Sequence, residues 1–193
     1  MRVHDDIIIK RRGAIEDVSD YEEYRPFLRE DFQRICGHCG KSETVTRKGF
    51  EIDHFVPKKI APKRVNDYYN LVYSCFTCNR KKSSKWPTND KNVHHNDEVG
   101  FVDPVSCDFD KHLERTEDGN IIGITNVGKY MCKEGFRFNS RPIKEIWKYM
   151  TLLKKKQIII DKLDKLSDDD RKCYIEIDQC ITELHNHLFE KKE

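Results

Sequence analysis

No run of about 18 apolar residues occurs in the sequence, which excludes a membrane-spanning helix. The first residues do not read as a secretory leader either. Met1-Arg2-Val3-His4-Asp5-Asp6 turns acidic too early, and Ile7-Ile8-Ile9 is too short an apolar run. The sequence has no internal repeat and no low-complexity tract. It also lacks an excess of charge of one sign, since 36 Lys and Arg stand against 34 Asp and Glu for a formal +2. What is present is 193 residues, 37% hydrophobic and 36% charged. That is polar for a globular chain, yet enough to bury a core in one domain with extensions. The expectation is a cytoplasmic protein with no membrane contact.

The near-neutral total hides a local field. Residues 47–85 carry ten Lys or Arg against Glu51, Asp53 and Asp67, a balance of +7, while residues 1–46 sum to −2 and residues 86–193 to −3. A basic stretch of this density attracts a polyanion, with a salt-sensitive electrostatic component. Taken alone, a charge run reads first as a solvated face.

Cysteine is not scarce, but its arrangement excludes a secreted disulfide scaffold, because nothing points to an oxidising compartment. Cys36-Gly-His-Cys39 and Cys75-Phe-Thr-Cys78 are two CxxC knuckles bracketing the basic segment. Matched knuckles of this kind are the sequence form of a structural tetrahedral zinc site. Four thiolates fill that shell, so His38 reads as a bystander. Cys107, Cys132, Cys173 and Cys180 form no further CxxC pattern and read as free, mostly buried thiols.

Residues 1–18 read as extended or loosely ordered. Ser19 to Ile35 reads as helical, with Pro26 able to open a new segment and Phe27, Leu28, Phe32 and Ile35 on its apolar side. Thr44 to Asp53, broken at Lys48-Gly49, suits a short hairpin, and residues 58–69 form a basic irregular loop. Leu71-Val72-Tyr73-Ser74 is a short strand or turn, followed by a basic helix from Phe76 to Ser84. Thr88 to Glu98 reads as a loop, and His112 to Thr125 as a second hairpin turning at Asp118-Gly119. Arg141-Pro142 opens a helix through about Leu166, and Ser167 with Asp168-Asp169-Asp170 caps the next. Tyr174, Ile177, Ile181, Leu184 and Leu188 make a narrow seam that Leu152, Ile159, Leu163 and Leu166 could meet in an antiparallel hairpin. Such a seam serves internal packing or, less conventionally, a partner.

Chemistry concentrates between the knuckles, in Glu51-Ile52-Asp53-His54-Phe55-Val56-Pro57, then Asn70-Leu71-Val72, then Cys78-Asn79-Arg80-Lys81-Lys82. Asp53 is a hard oxygen donor suited to Mg²⁺ or Mn²⁺, and Asn79 offers an amide oxygen. His54, adjacent on a strand and so on the other side, is placed to act as general base. A divalent ion beside such a base can hydrolyse a phosphodiester. Lys58, Lys59, Arg80, Lys81 and Lys82 would hold the phosphate backbone without reading sequence.

Over residues 32–87 this pattern resembles the HNH endonucleases, the ββα-metal or His-Me finger family, in the variant whose last position is Asn rather than His. The resemblance implies an α+β fold: a zinc-stapled ββα-metal core at 32–87, an N-terminal extension and helix at 1–31, a loop and β-hairpin region at 88–140 and a C-terminal helical hairpin at 141–193. It implies that His54 is the base, that Asp53 and Asn79 bind the catalytic ion, and that Asn70 braces the loop and orients the His54 ring by hydrogen bonding. Beyond the core the layout is similar to small bacterial HNH nucleases of anti-phage systems that pair with an ATPase subunit, which would give the C-terminal helices a docking role. The substrate implied is DNA. No RNA-binding module is recognisable, and Tyr68, Tyr69 and Trp86 are better suited to packing than to stacking on bases. The contrasting reading is a non-cleaving, zinc-stapled nucleic-acid-binding or adaptor module.

Overall fold

Apolar and aromatic side chains fill Leu71-Val72-Tyr73-Ser74-Cys75, and this run is strand β2 (Leu71–Cys75), buried along its whole length. Its antiparallel partner is β1 (Phe50–His54), with Phe50 opposite Cys75, Ile52 opposite Tyr73 and His54 opposite Leu71. The local hairpin expected over Thr44 to Asp53 does not form. Arg47, Lys48 and Gly49 are exposed, so the segment before β1 has no apolar face to pair, whereas β2 offers a continuous one.

The computed structural model describes residues 1–161 and 167–190. The chain is α+β, and it separates into two units, one from Met1 to Arg141 and one from Pro142 onward. In the first unit, the helical reading of Ser19 to Ile35 resolves into a 3₁₀ turn (Tyr21–Tyr24) and helix α1 (Arg25–Asp31). Asp20 and Glu23 form a reciprocal capping box at the turn, and Pro26 sits in the first turn of α1, where its missing N–H costs nothing. Leu28 and Phe32 are fully buried, and α1 packs on β2. Helix α2 (Phe76–Lys82) leaves β2 without a loop and ends at Ser83, whose φ of +50° stops it. Thus two strands and the helix that follows them form one ββα unit, with 3₁₀ turns at Pro62–Arg64 and Tyr68–Asn70 inside the basic loop.

The second hairpin forms between β3 (Leu113–Arg115) and β4 (Ile121–Gly123). Its connection is the five residues Thr116 to Asn120 rather than a two-residue turn: the Thr116 N–H donates to the Asn120 carbonyl at 2.9 Å, and Gly119 takes φ +90°. It is preceded by α3 (Phe109–His112) and followed by α4 (Asn126–Tyr130), capped by Thr125, and a π-helical turn (Met131–Gly135). These short helices carry no long apolar period, which is why periodicity does not reveal them. Arg115 ties the unit together. It is 2% exposed and donates to the carbonyls of Val3, Cys39 and Gly119 at 2.7–3.1 Å.

The second unit consists of α5 (Ile143–Ile160) and α6 (Asp168–Phe189). They run antiparallel, since Tyr149 meets His185 and Phe189 while Lys156 meets Tyr174 and Asp178. Ser167 and Asp170 cap α6 reciprocally, as its sequence demands. Helix α5 ends earlier than Leu166, and Leu163 and Leu166 lie outside the described residues. Of the four cysteines outside the knuckles only Cys132 is buried. Cys180 is half-buried, and Cys107 and Cys173 are exposed, because the polar face of α6 turns Cys173 outward. No helix among the described residues is long and apolar enough to cross a membrane.

Candidate functional site

The two knuckles converge. The Sγ atoms of Cys36, Cys39, Cys75 and Cys78 lie within 4.8 Å of one another and are buried, with Cys39 and Cys75 at 3.9 Å. Four sulfurs placed tetrahedrally about 2.3 Å from one ion would stand about 3.8 Å apart, so the cluster has the dimensions of a structural zinc site. The first knuckle needs its glycines. A Cβ at Gly37 would meet the Phe32 ring at 2.6 Å, and Gly40 turns the chain at φ +69° with the Val3 carbonyl close by. Arg141, which reads in the sequence only as a helix opener, donates to Cys78 Sγ at 3.3 Å. Burial disfavours its charge, but the thiolates outweigh that and hold its pKa above the usual arginine value. A guanidinium here offsets the net negative charge of a four-thiolate site.

Asp53 is 3% exposed and sits in a polar clamp. Its Oδ2 accepts from His38 Nε2 at 2.8 Å and its Oδ1 from Lys82 Nζ at 2.9 Å. Burial alone would raise its pKa; Lys82 and His38 reverse this and hold the carboxyl below its usual range. Two expectations are corrected here. His38 is no bystander but a direct partner of Asp53. Lys82 is fully buried, and its ammonium also donates to the His54 carbonyl at 2.7 Å. It therefore cannot meet a phosphate backbone from solvent. The CxxC spacing obscured His38, and a run of three basic residues obscured Lys82, because a helix sends successive side chains in different directions.

His54 lies on the other side of β1. Its Nε2 donates to the Val65 carbonyl at 2.8 Å, which fixes the tautomer and leaves Nδ1 as the ring's basic nitrogen. Tyr21 packs edge-on against the ring at 4.8 Å. Burial is the main reason its pKa is lowered, with Lys58 and Lys82 adding to it while the Val65 carbonyl and Asp53 oppose. The ring-orienting bond expected from Asn70 is absent. Asn70 instead accepts from the Val56 N–H at 2.9 Å and donates to the Val56 carbonyl at 3.0 Å. It braces the loop after β1, and the loop's Val65 carbonyl orients the ring. The short Asn side chain, buried just before β2, commits its amide to the adjacent loop backbone.

Asn79, midway along α2, donates its Nδ2 to Glu51 Oε2 at 2.6 Å. A carboxylate can only accept, so this contact identifies the nitrogen end and leaves Oδ1 available as a donor atom for a cation. Asp53, His54 and Asn79 together line a cleft of about 530 Å³, whose rim includes Tyr21, Lys58, Lys59, Arg80, Ser83 and Ser84. Lys58, Lys59 and Arg80 are exposed. Arg80 pairs with Glu51 Oε1 at 3.2 Å, and the Lys58 ammonium lies 4.1 Å from the Tyr21 ring centre. Lys81 is half-buried and is not among the residues lining the cleft. The cleft thus combines a basic imidazole, a carboxylate, an amide and cations within one ββα unit.

The class of site so defined is a ββα unit bracketed by a four-cysteine cluster, with an imidazole, a carboxylate and an amide at one cleft. Residues 36–85 match the model of the family described as HNH endonuclease. The matched stretch spans both knuckles, both strands of the first sheet and α2. Comparison with curated proteins and with solved structures returns no significant match.

Proposed function

We propose that the protein is a metal-dependent endonuclease hydrolysing DNA phosphodiester bonds, with His54 as general base. The observation that carries this reading is the imidazole itself: Nε2 is committed to the Val65 carbonyl, burial favours the neutral ring, and the residue lines a basic cleft. Nδ1 takes a proton from a water molecule as its oxygen attacks phosphorus. The bond from phosphorus to the leaving oxygen then breaks, and that oxygen takes up a proton. Lys58, Lys59 and Arg80 hold the phosphate chain, and Tyr21 limits the travel of the ring.

Asp53 and Asn79 would hold one Mg²⁺ or Mn²⁺. The donor set fits such an ion. Each oxygen of Asp53 has one hydrogen-bond donor and retains a further lone pair, and Asn79 Oδ1 adds a neutral oxygen. When bound, such an ion stabilises charge on the phosphate and the leaving oxygen. The four cysteines would hold a structural zinc ion.

On supercoiled plasmid with Mg²⁺ or Mn²⁺, His54→Ala is expected to lower cleavage about 100-fold or more. Cleavage at the wild-type rate by zinc-loaded His54→Ala would overturn the assignment. The closed pairing of Asp53 with Lys82 and His38 favours a second reading, a non-cleaving nucleic-acid-binding or adaptor module. Wild-type protein that binds DNA but neither cleaves it nor takes up Mn²⁺ would establish that one. Cytoplasmic anti-phage action with an ATPase partner held by α5 and α6 rests on the resemblance alone. Cleavage that depends on an added ATPase subunit would support it.

A further inference from the structure

We infer that His38 is a positioning residue for the Asp53 carboxylate, fixing the oxygens that Asp53 presents to a divalent cation and coupling that site to the cysteine cluster. The inference rests on the proposed role of Asp53 as a cation ligand. His38 is 1% exposed and Asp53 3%, so their 2.8 Å contact is sheltered from competing water. A carboxylate only accepts while its pair with Lys82 keeps it ionised, and so His38 Nε2 carries the hydrogen. The opposite ring nitrogen, Nδ1, is buried with no hydrogen-bond partner among the described residues, a condition that costs about 1–3 kcal/mol for an ordinary polar group. A purely space-filling residue at this place would be apolar. The imidazole is there for one bond.

The geometry around it is stiff. The ring packs on Phe136 at 4.5 Å, and the knuckle backbone is pinned by the Gly37 N–H donating to the Tyr73 carbonyl at 2.9 Å. Tyr73 lies opposite Ile52 in β1, one residue from Asp53. His4 adds a bond from its Nε2 to the Gly37 carbonyl at 2.6 Å. The knuckle and the strand bearing Asp53 therefore form one rigid frame, with His38 as the side chain that passes its position to the carboxylate. Partners of this kind behind a ligand change metal affinity about 10–100-fold when removed.

The test is Mn²⁺ binding to the zinc-loaded full chain, followed by the free-ion EPR signal. His38→Phe, which keeps the ring and removes the donor, is expected to raise the half-saturating Mn²⁺ concentration about 10-fold or more, with zinc content and melting temperature retained. His38→Gln restores a donor and is expected to return binding to within about three-fold of wild type. Equal Mn²⁺ binding by wild type and His38→Phe overturns this inference and leaves the proposed function standing. Wild-type protein that takes up no Mn²⁺ overturns the proposed function itself, and this inference with it. If His38→Phe loses zinc, the wild-type imidazole is followed by ¹⁵N NMR during Mg²⁺ titration. His38 signals that move with the binding midpoint support the inference, and signals that stay still overturn it.

Discussion

At the scale of single residues, the site is governed by burial and by which partner each polar atom finds. His54 is the clearest case, because its lowered pKa has a direction that can be tested. A general base works only when unprotonated, so activity rises with pH through its pKa. Burial, with Lys58 and Lys82, places that pKa below 6.5. The acid limb of the cleavage rate against pH is therefore expected to have its midpoint below that of an ordinary histidine. A midpoint well above 6.5 would contradict the burial argument. Lys82 shows the opposite use of a cation. Its buried pairing with Asp53 makes it part of the frame that keeps a carboxylate ionised, whereas Lys58 and Lys59, exposed at the cleft, are free to meet a ligand.

At the scale of elements, β1, β2 and α2 are too small to persist alone. A two-stranded sheet is marginal in water, and a seven-residue helix is shorter than isolated helices require. The cysteine cluster and Arg115 supply what these elements lack. The knuckles join the turn after α1 to the start of α2, so a bound zinc ion closes the frame in which Asp53 and Asn79 stand. Cys75→Ser is expected to lower zinc content from one ion per chain and to abolish the cooperative melting of the first unit, measured by circular dichroism. A variant that keeps the wild-type melting profile without zinc would remove the stapling role. Much of this level is legible in sequence. The CxxC spacing, Pro26 and the Ser167 cap are all local signals, and the elements they mark form; Asp118-Gly119 marks the second hairpin, whose connection is longer than the two-residue turn expected there. The pairing of β1 with β2 is not local. The order of residues 44–53 invites a hairpin that the exposed, charged tip cannot stabilise.

At the scale of the molecule, the significant quantity is where charge stands rather than its total. The net +2 combines a +7 segment at 47–85 with acidic flanks, and the structure sorts that segment into inward and outward cations. Lys58, Lys59 and Arg80 face the cleft, Lys82 points inward, and Lys85 donates to the Glu134 carbonyl. Three phosphate contacts would give DNA affinity a slope of about −2.7 in log–log dependence on salt. Lys59→Ala is expected to reduce that slope by about one, weakening all DNA sequences alike, as read by fluorescence anisotropy across a salt series. An unchanged slope would place the DNA elsewhere than this cleft.

The residues alone determined the chemistry at hand: two thiol knuckles, an Asp-His pair, two asparagines and a basic stretch, all specified by type and spacing along the chain. Tertiary structure decided the partners. It gave Asp53 to His38 and Lys82, the His54 ring to the Val65 carbonyl rather than to Asn70, and Asn79 to Glu51. Spacing records which groups can come near one another. The final hydrogen bonds depend on the side of a strand or helix each group occupies and on which buried polar atoms remain to be satisfied. Those conditions exist only once the core has closed.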